Sequence, residues 1–268
     1  MSNDSTEVTQ ALALKTQKMR EQLYLYRYRS IKNSEDFVRL IKFMRDGKLY
    51  CARREDFNDP FELRAPLSSE APSDYYPLTK SQREHFQASY ENMFDIMRIA
   101  CFTESYKNLP MWNHYADEHR GVCLEFDTSK LQTPEANNLF PTIYVENLLD
   151  AVKFVRDFID NGRPPFEMTL YTCIQKLHHW DYENEWRYIC SAAPECTSHS
   201  GIEVSFIRPS KVILGINTAP DIEAELLRVI SESKLEINMT RMQITRYGLK
   251  ENPVSPLQPT RVFLPYLR

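Results

Sequence analysis

The sequence predicts an α+β fold, a single large mixed domain with a twisted, mostly antiparallel sheet system flanked by helices. Short stretches in which apolar and polar residues alternate recur along the chain, as they do in β-strands. Between them lie segments with apolar residues at helical spacing and capping residues at their ends. The 268 residues, of which 42% are hydrophobic and 12% aromatic, can fill one sizeable core.

The domain organisation follows from how composition changes along the chain. Residues 1–22 are polar and only weakly helical in pattern, and we expect them to form an N-terminal arm. No internal repeat and no long flexible linker divides the remainder. Residues 23–268 are therefore predicted to form one α+β domain.

The first elements have clear sequence signals. Over residues 23–29, tyrosines alternate with other side chains, which predicts a strand. Ser34 is the predicted N-cap of a helix that ends at Gly47, where a left-handed residue is expected, and a strand follows as far as Ala52. The same reasoning predicts the remaining elements: a Pro/Ser-rich loop over 65–79, helices over 80–97, 111–118, 147–160, 166–178 and 220–234, strands over 98–103, 122–126, 142–145, 182–192, 202–207, 211–216 and 242–247, and an irregular tail from residue 252.

Composition excludes several classes of protein. The formal charge of −4 and the pI near 5.9 give no strong nucleic-acid footprint. No apolar run is long enough for a membrane span, and no secretory leader is recognisable, so we expect no membrane association. The six scattered cysteines, of which Cys196 is the last, are expected to be buried reduced thiols. These features predict a cytoplasmic protein.

The first candidate segment is Tyr26-Arg27-Tyr28-Arg29. On a strand Arg27 and Arg29 point to the same face, so together they can grip an anionic group such as a pyrophosphate. The competing interpretation is an edge strand with solvated arginines.

The second candidate segment contains Trp112, His114 and Tyr115. On a helix, Trp112 and Tyr115 share a face and His114 lies one turn from Glu118, an arrangement suited to a planar ligand. Alternatively, the two rings cover the core and His114 is a surface residue. A zinc site built on His114 and His119 lacks paired ligand spacing, and we expect no metal.

The third candidate segment runs from His178 to Tyr188. On a strand Glu183, Glu185 and Arg187 share one face, where the two carboxylates repel each other unless a cation, a shared proton or a polar ligand relieves them. Such an arrangement costs stability and therefore suggests a functional site. The competing interpretation is a neutralising pair of Glu185 and Arg187 on a wet face.

An ordered series of motifs over residues 25–216 resembles a bacterial family of unknown function, DUF2971. The motifs are Leu25-Tyr26-Arg27-Tyr28-Arg29, Leu49-Tyr50, Phe57-Asn58-Asp59-Pro60-Phe61-Glu62, Cys101-Phe102-Thr103-Glu104-Ser105, Met111-Trp112-Asn113-His114-Tyr115, Arg120-Gly121-Val122-Cys123-Leu124, Trp180-Asp181-Tyr182-Glu183-Asn184-Glu185-Trp186-Arg187 and Val212-Ile213-Leu214-Gly215. This resemblance implies no established activity.

A more distant resemblance connects the chain with mono-ADP-ribosyltransferases of the Arg-Ser-Glu type. It implies NAD as substrate, with Arg27 or Arg29 on the pyrophosphate and with Glu183 and Glu185 as the catalytic Glu-x-Glu pair. The chain departs from that pattern because Leu49-Tyr50-Cys51-Ala52 stands where the family has Ser-Thr-Ser. The full set of candidate binding residues is Tyr26, Arg27, Tyr28, Arg29, Asn58, Asp59, Trp112, His114, Tyr115 and Arg187.

Three functions compete at this stage. The first is an ADP-ribosyltransferase-like enzyme that uses NAD and a macromolecular acceptor. The second is a non-catalytic module that senses a nucleotide or a protein, in bacterial defence against phage. The third is a metal-dependent hydrolase with Asp59, Glu62, Glu183 and Glu185 around Mg²⁺. The first two require Arg27 and Arg29 to converge on the acidic pair.

Overall fold

The computed structural model of the chain describes residues 4–64, 79–149, 166–192 and 201–254. Most of the predicted loop over 65–79, nearly all of the predicted helix over 147–160, Cys196 and the tail beyond residue 254 lie outside the described residues.

The described residues form helices and short strands in alternation. The helices are α1 (Asp4–Glu21), α2 (Ser34–Asp46), α3 (Lys80–Asp95), α4 (Leu109–Tyr115), α5 (Thr133–Asn137), α6 (Phe166–Ile174) and α7 (Pro220–Glu232). The strands are β1 (Tyr24–Arg29), β2 (Lys48–Cys51), β3 (Met97–Thr103), β4 (Val122–Asp127), β5 (Leu139–Pro141), β6 (Ile143–Val145), β7 (Gln175–Leu177), β8 (Glu185–Ser191), β9 (Ile202–Ser205), β10 (Lys211–Leu214), β11 (Asn238–Thr245) and β12 (Gly248–Pro253).

The fold is α+β, as the sequence predicts. Its helices accompany a large mixed sheet in which β1 pairs antiparallel with β3 and β4, β4 with β10, β11 with β12, and β5 with β8. The pairing of β10 with β11 is parallel, because α7 returns the chain to the same end of the sheet.

The chain divides into two compact units, each built from three separate stretches. The first unit comprises Met1–Glu21, Tyr50–Cys101 and Gln132–Val204, and the second comprises Gln22–Leu49, Phe102–Leu131 and Ser205–Arg268. The prediction of one domain behind an N-terminal arm stays a prediction. Residues 4–21 form helix α1, whose Lys15 lies 3.8 Å from the centroid of the Phe140 ring in the first unit.

The second unit contains the strand order β12-β11-β10-β4-β1 and the end of β3. Its core is aromatic, with the Phe126 ring packed against Phe43, Phe102 and Phe206 at centroid distances of 5.3 to 5.9 Å. Helix α2 ends at Gly47 in the left-handed conformation, as predicted. Its N-cap is Asn33 rather than Ser34, because the Asn33 side chain accepts a hydrogen bond from the backbone N–H of Asp36.

The first unit contains β8 between β3 and β5, together with the parallel pair of β6 and β7. Helices α3 and α6 supply most of its apolar core. The buried members of this core are Leu63, Phe86, Tyr90, Phe94, Ile99, Phe140, Leu149, Met168, Leu170, Cys173, Ile174 and Ile189.

Several element boundaries differ from the prediction. The helix predicted over 166–178 ends at Ile174, and the next three residues pair with β6 as strand β7. The strand predicted over 242–247 starts earlier, at Asn238, and ends at Thr245. Gly248, with φ of 114°, then begins strand β12, which was not predicted and which includes the first two residues of the expected irregular tail, Asn252 and Pro253. Among the described helices, none has the length and apolar character needed to cross a membrane.

Candidate functional site

The two glutamates of the third candidate segment share one buried cation in the first unit. The ammonium group of Lys176 donates hydrogen bonds to Oε2 of Glu183 at 2.5 Å and to Oε2 of Glu185 at 2.8 Å. All three side chains are buried. The repulsion expected between two neighbouring carboxylates is therefore relieved by a cation, and Lys176 is that cation.

The backbone brings Glu183 and Glu185 together in a way that differs from the predicted continuous strand. A 3₁₀ turn covers His178–Glu183, and Asn184 then adopts the left-handed conformation with φ of 43°. Strand β8 begins only at Glu185. Asn tolerates this conformation better than most residues, so it reverses the chain at this point and returns Glu185 to the side of Glu183.

Arg187 extends this group of charges into a buried network. Its guanidinium donates two hydrogen bonds to the carboxylate oxygens of Glu185, from Nε at 3.1 Å and from Nη2 at 3.2 Å. A third hydrogen bond runs from Nη1 to the carbonyl of Cys173 at 2.7 Å. Nη1 of Arg187 also lies 2.5 Å from Oε1 of Glu62. We call Glu62, Lys176, Glu183, Glu185 and Arg187 the acidic cluster. The predicted pair of Glu185 and Arg187 exists, but it is buried rather than on a wet face.

Opposite pKa shifts distinguish two carboxyl groups of the acidic cluster. Burial alone would raise the pKa of Glu185, but the charges of Arg187 and Lys176 outweigh burial and hold this pKa at about 2. Burial raises the pKa of Glu62, and Arg187 offsets that effect only in part. The charge of Arg187, whose guanidinium lies against Oε1 of Glu62, favours the ionised carboxylate and opposes the effect of burial.

Half-buried aromatic rings border the acidic cluster. The ammonium of Lys176 lies 5.0 Å from the centroid of the Trp180 ring, and the Tyr182 ring is 6.2 Å from Trp180. The hydroxyl of Tyr144 accepts a hydrogen bond of 2.8 Å from the backbone N–H of Glu185. Burial is the main reason that the pKa of Tyr144 lies above its usual range. Charged groups beneath partly exposed rings are typical of small-molecule sites.

The turn that carries Asn58 and Asp59 delivers Glu62 to the acidic cluster. A carboxylate oxygen of Asp59 accepts from the backbone N–H of Phe61 at 2.9 Å, and its carbonyl accepts from the N–H of Glu62 at 3.1 Å. Asp59 is buried, whereas Asn58 is exposed. Phe57 packs against the core of the first unit, and Phe61 is exposed.

In the second unit, β1 buries Tyr26 and Tyr28 and leaves Arg27 and Arg29 half-buried. Tyr26 donates to a carboxylate oxygen of Glu125 at 3.3 Å, and Tyr28 donates to the carbonyl of Ser105 at 3.0 Å. The guanidinium of Arg27 lies 5.6 Å from the centroid of the Phe102 ring. The edge-strand interpretation of Arg27 and Arg29 is wrong, because β1 pairs with β3 on one side and β4 on the other.

The predicted ring platform on α4 is part of the core. The Trp112 ring has 0% of its surface exposed, and its indole N–H donates to the carbonyl of Tyr106 at 2.7 Å. Tyr115 is half-buried and His114 is exposed. Core packing, the alternative given for these rings, therefore describes Trp112.

Helix α4 ends at Tyr115, earlier than predicted. Asp117, Glu118 and His119 all have positive φ, between 49° and 68°, so His114 and Glu118 are not one helical turn apart. Gly121 closes this segment, and its N–H donates to the carbonyl of Ala116 at 2.8 Å. A run of three non-glycine residues in the left-handed region costs energy and is unusual.

The acidic cluster thus unites Glu183, Glu185 and Arg187 of the predicted site residues. Lys176 and the role of Glu62 as an ion partner were missed, although the expected repulsion between the glutamates already called for a cation. Tyr26, Arg27, Tyr28, Arg29, Trp112, His114 and Tyr115 belong to the second unit, and their convergence with the glutamates stays a prediction. Within the described ranges, no group of His, Cys, Asp and Glu has an arrangement that could hold a metal ion, so these ranges do not provide the magnesium site of the hydrolase alternative.

Comparison with known proteins gives one match. Neither the curated proteins nor the solved structures include one that matches this chain. A family model described as a protein of unknown function, DUF2971, matches residues 111–188, which run from α4 to β8 and include Lys176, Glu183 and Glu185. This match supports the resemblance of the chain to the DUF2971 family.

Proposed function

We propose that this chain is an ADP-ribosyltransferase-like enzyme that takes NAD as its substrate. What supports the proposal is one observation: Glu183 and Glu185 meet on the ammonium of Lys176, beside half-buried aromatic rings. Glu185 stays ionised at neutral pH because Arg187 and Lys176 hold its pKa at about 2. A fixed negative charge is what such a reaction needs next to the ribose.

In the proposed reaction the bond between nicotinamide and ribose breaks, and nicotinamide leaves with the bonding electrons. The ribose then carries positive charge, which the carboxylate of Glu185 stabilises. Glu183 polarises the nucleophile of the acceptor, which bonds to the ribose carbon and releases its proton. Arg27 or Arg29 holds the pyrophosphate in this proposal. The acceptor is a macromolecule, and the protein acts in the cytoplasm.

The test is consumption of NAD by the purified protein, with Glu185→Gln as the informative variant. We expect this variant to lose activity by about 100-fold or more, because its side chain keeps its shape but loses its charge. Glu223→Gln is the matched control, since Glu223 also pairs with an arginine, Arg241, but lies outside the acidic cluster. Activities are divided by the folded fraction from circular dichroism, and Glu183→Gln serves as a second variant. Equal activity of Glu185→Gln and the wild type would exclude the proposed role.

A second candidate function is a non-catalytic module that binds a nucleotide or a protein, in bacterial phage defence. One observation favours it: both carboxylates are buried and already neutralised by Lys176 and Arg187. Such a module raises its melting temperature when a nucleotide binds but forms no product. Release of nicotinamide from bound NAD would contradict this second function.

A further inference from the structure

The three tryptophans of the chain differ in accessibility. Trp112 and Trp186 have 0% of their surface exposed, so neither can contact a ligand. Trp180 is half-buried and keeps part of its ring at the surface. Trp180 is therefore the tryptophan that a small molecule can reach.

The Trp180 ring is held directly beside the acidic cluster. It lies on the 3₁₀ turn His178–Glu183, which leads into Glu183. The ammonium over this ring, 5.0 Å from its centroid, is the one bound by both glutamates. The exposed part of the Trp180 ring is therefore where a ligand ring can pack next to the turn that leads into the acidic cluster.

The charges around Trp180 favour a cationic ring. The ammonium of Lys176 does not repel such a ligand strongly, because two carboxylates at hydrogen-bond distance offset its charge. Asp181, which follows Trp180 in the chain, is exposed. The face of an indole ring is negative and attracts cations, and it also stacks on planar rings.

We propose that Trp180 is the ring-stacking residue of the candidate site and that it takes a planar, positively charged ring, which in NAD is the nicotinamide. This inference rests on the proposed function, because that function requires the nicotinamide ribose beside Glu185. Trp112, the ring that the sequence suggested for a planar ligand, is buried and is not available for this role.

The experiment measures binding of nicotinamide mononucleotide to the full chain by titration calorimetry. We expect Trp180→Ala to weaken binding about tenfold, the usual effect of losing one stacked ring, while Trp180→Phe retains most of the affinity. Tyr247→Ala is the matched control, because Tyr247 is an aromatic residue with 85% of its surface exposed in the second unit. This control should bind as the wild type does.

Two further ligands test the chemistry of the ring. Reduced nicotinamide mononucleotide has a neutral ring and should bind more weakly than the oxidised form, and AMP should also bind more weakly. The inference is overturned if the wild type does not bind the oxidised mononucleotide, if Trp180→Ala and Trp180→Phe both bind it as tightly as the wild type, or if AMP binds more tightly.

The outcomes separate this inference from the proposed function. If NAD is consumed with the same KM by the wild type and Trp180→Ala, the enzyme proposal stands and the role of Trp180 is refuted. If NAD is not consumed but Trp180→Ala loses affinity for the mononucleotide, the stacking role stands and the enzyme proposal fails. Melting temperatures of both Trp180 variants show whether a loss of affinity reflects unfolding.

Discussion

Replacing Glu62 or Glu185 by glutamine should have very different effects on stability, although both carboxyl groups are buried and contact Arg187. Glutamine has the shape of a protonated glutamate and carries no charge. At Glu62, burial raises the pKa, so the loss of the negative charge is opposed less there than at Glu185. At Glu185 the same change removes a charge that Lys176 and Arg187 both require.

The magnitude for Glu185 follows from its pKa. A pKa of about 2 in the folded protein, compared with 4.5 in the unfolded chain, corresponds to about 3 kcal/mol of stability at pH 7. Removal of one partner from a buried ion pair costs about 3–5 kcal/mol, which agrees with this value. For Glu62→Gln we expect a smaller loss than for Glu185→Gln, because burial opposes the charged form of Glu62 and Arg187 keeps its two hydrogen bonds to Glu185.

The two groups also predict opposite pH dependences. The stability due to Glu185 is present above pH 4.5 and is lost as the pH falls toward 2, because its folded pKa is depressed. The stability due to Glu62 is fully present below pH 4.5 and is lost as the pH rises through its raised folded pKa. Glu62→Gln should therefore gain stability relative to the wild type as the pH rises.

The assay is urea denaturation followed by far-ultraviolet circular dichroism, at several pH values, for both variants and for Glu223→Gln. The partly exposed pair of Glu223 and Arg241 should contribute less than about 1 kcal/mol, so this control isolates the effect of burial. If Glu62→Gln is destabilised as much as Glu185→Gln at pH 7, then Glu62 is ionised in the folded protein and the reasoning is refuted.

Three other variants or reactions test separate parts of the structure. Lys176→Met leaves Glu183 and Glu185 without their shared cation and should lower the free energy of unfolding by about 3–5 kcal/mol at pH 7. Lowering the pH should restore part of the lost stability, as measured in a thermal melt. An unchanged melting temperature at pH 7 would contradict the ion pairs of the acidic cluster. Gly121→Ala should destabilise by about 1–3 kcal/mol in urea, because the new Cβ would lie 2.1 Å from the carbonyl oxygen of Arg29. Cys190, whose pKa is lowered by a hydrogen bond with Cys51, should be alkylated before the buried thiols of Cys123 and Cys173; peptide mass spectrometry gives the order, and earlier modification of Cys123 would refute it.

Local signals predict those parts of the fold where local physics decides the backbone. Gly47 ends α2 as expected because a left-handed C-cap needs no tertiary support. The alternation of tyrosines identifies β1, because a period of two residues is a local property that can be read directly from the sequence. The sequence does not predict β7, because the three residues of this strand are too few to show a period.

Only the part of the candidate site that lies on neighbouring positions of the sequence was predictable. Glu183, Glu185 and Arg187 lie within five residues of one another, so their proximity is a local property. Lys176 and Glu62 reach the same place through tertiary structure. The left-handed conformation of Asp117–His119 was not predicted either. The intrinsic preferences of these three residues are too weak to impose three positive φ angles, so tertiary structure must hold them there.

The interleaved segments of the first unit have a consequence for how the protein is made. Gln175 donates to the carbonyl of Arg64, 111 positions earlier in the chain, and Glu62 contacts Arg187 from the same early stretch. During translation Glu62 therefore leaves the ribosome long before Arg187 is synthesised, and its carboxyl group is hydrated until then. Such long-range closure slows folding. A nascent chain stopped before β8 would lack the central strand of the first unit, so this unit can become protease-resistant only after β8 has left the ribosome.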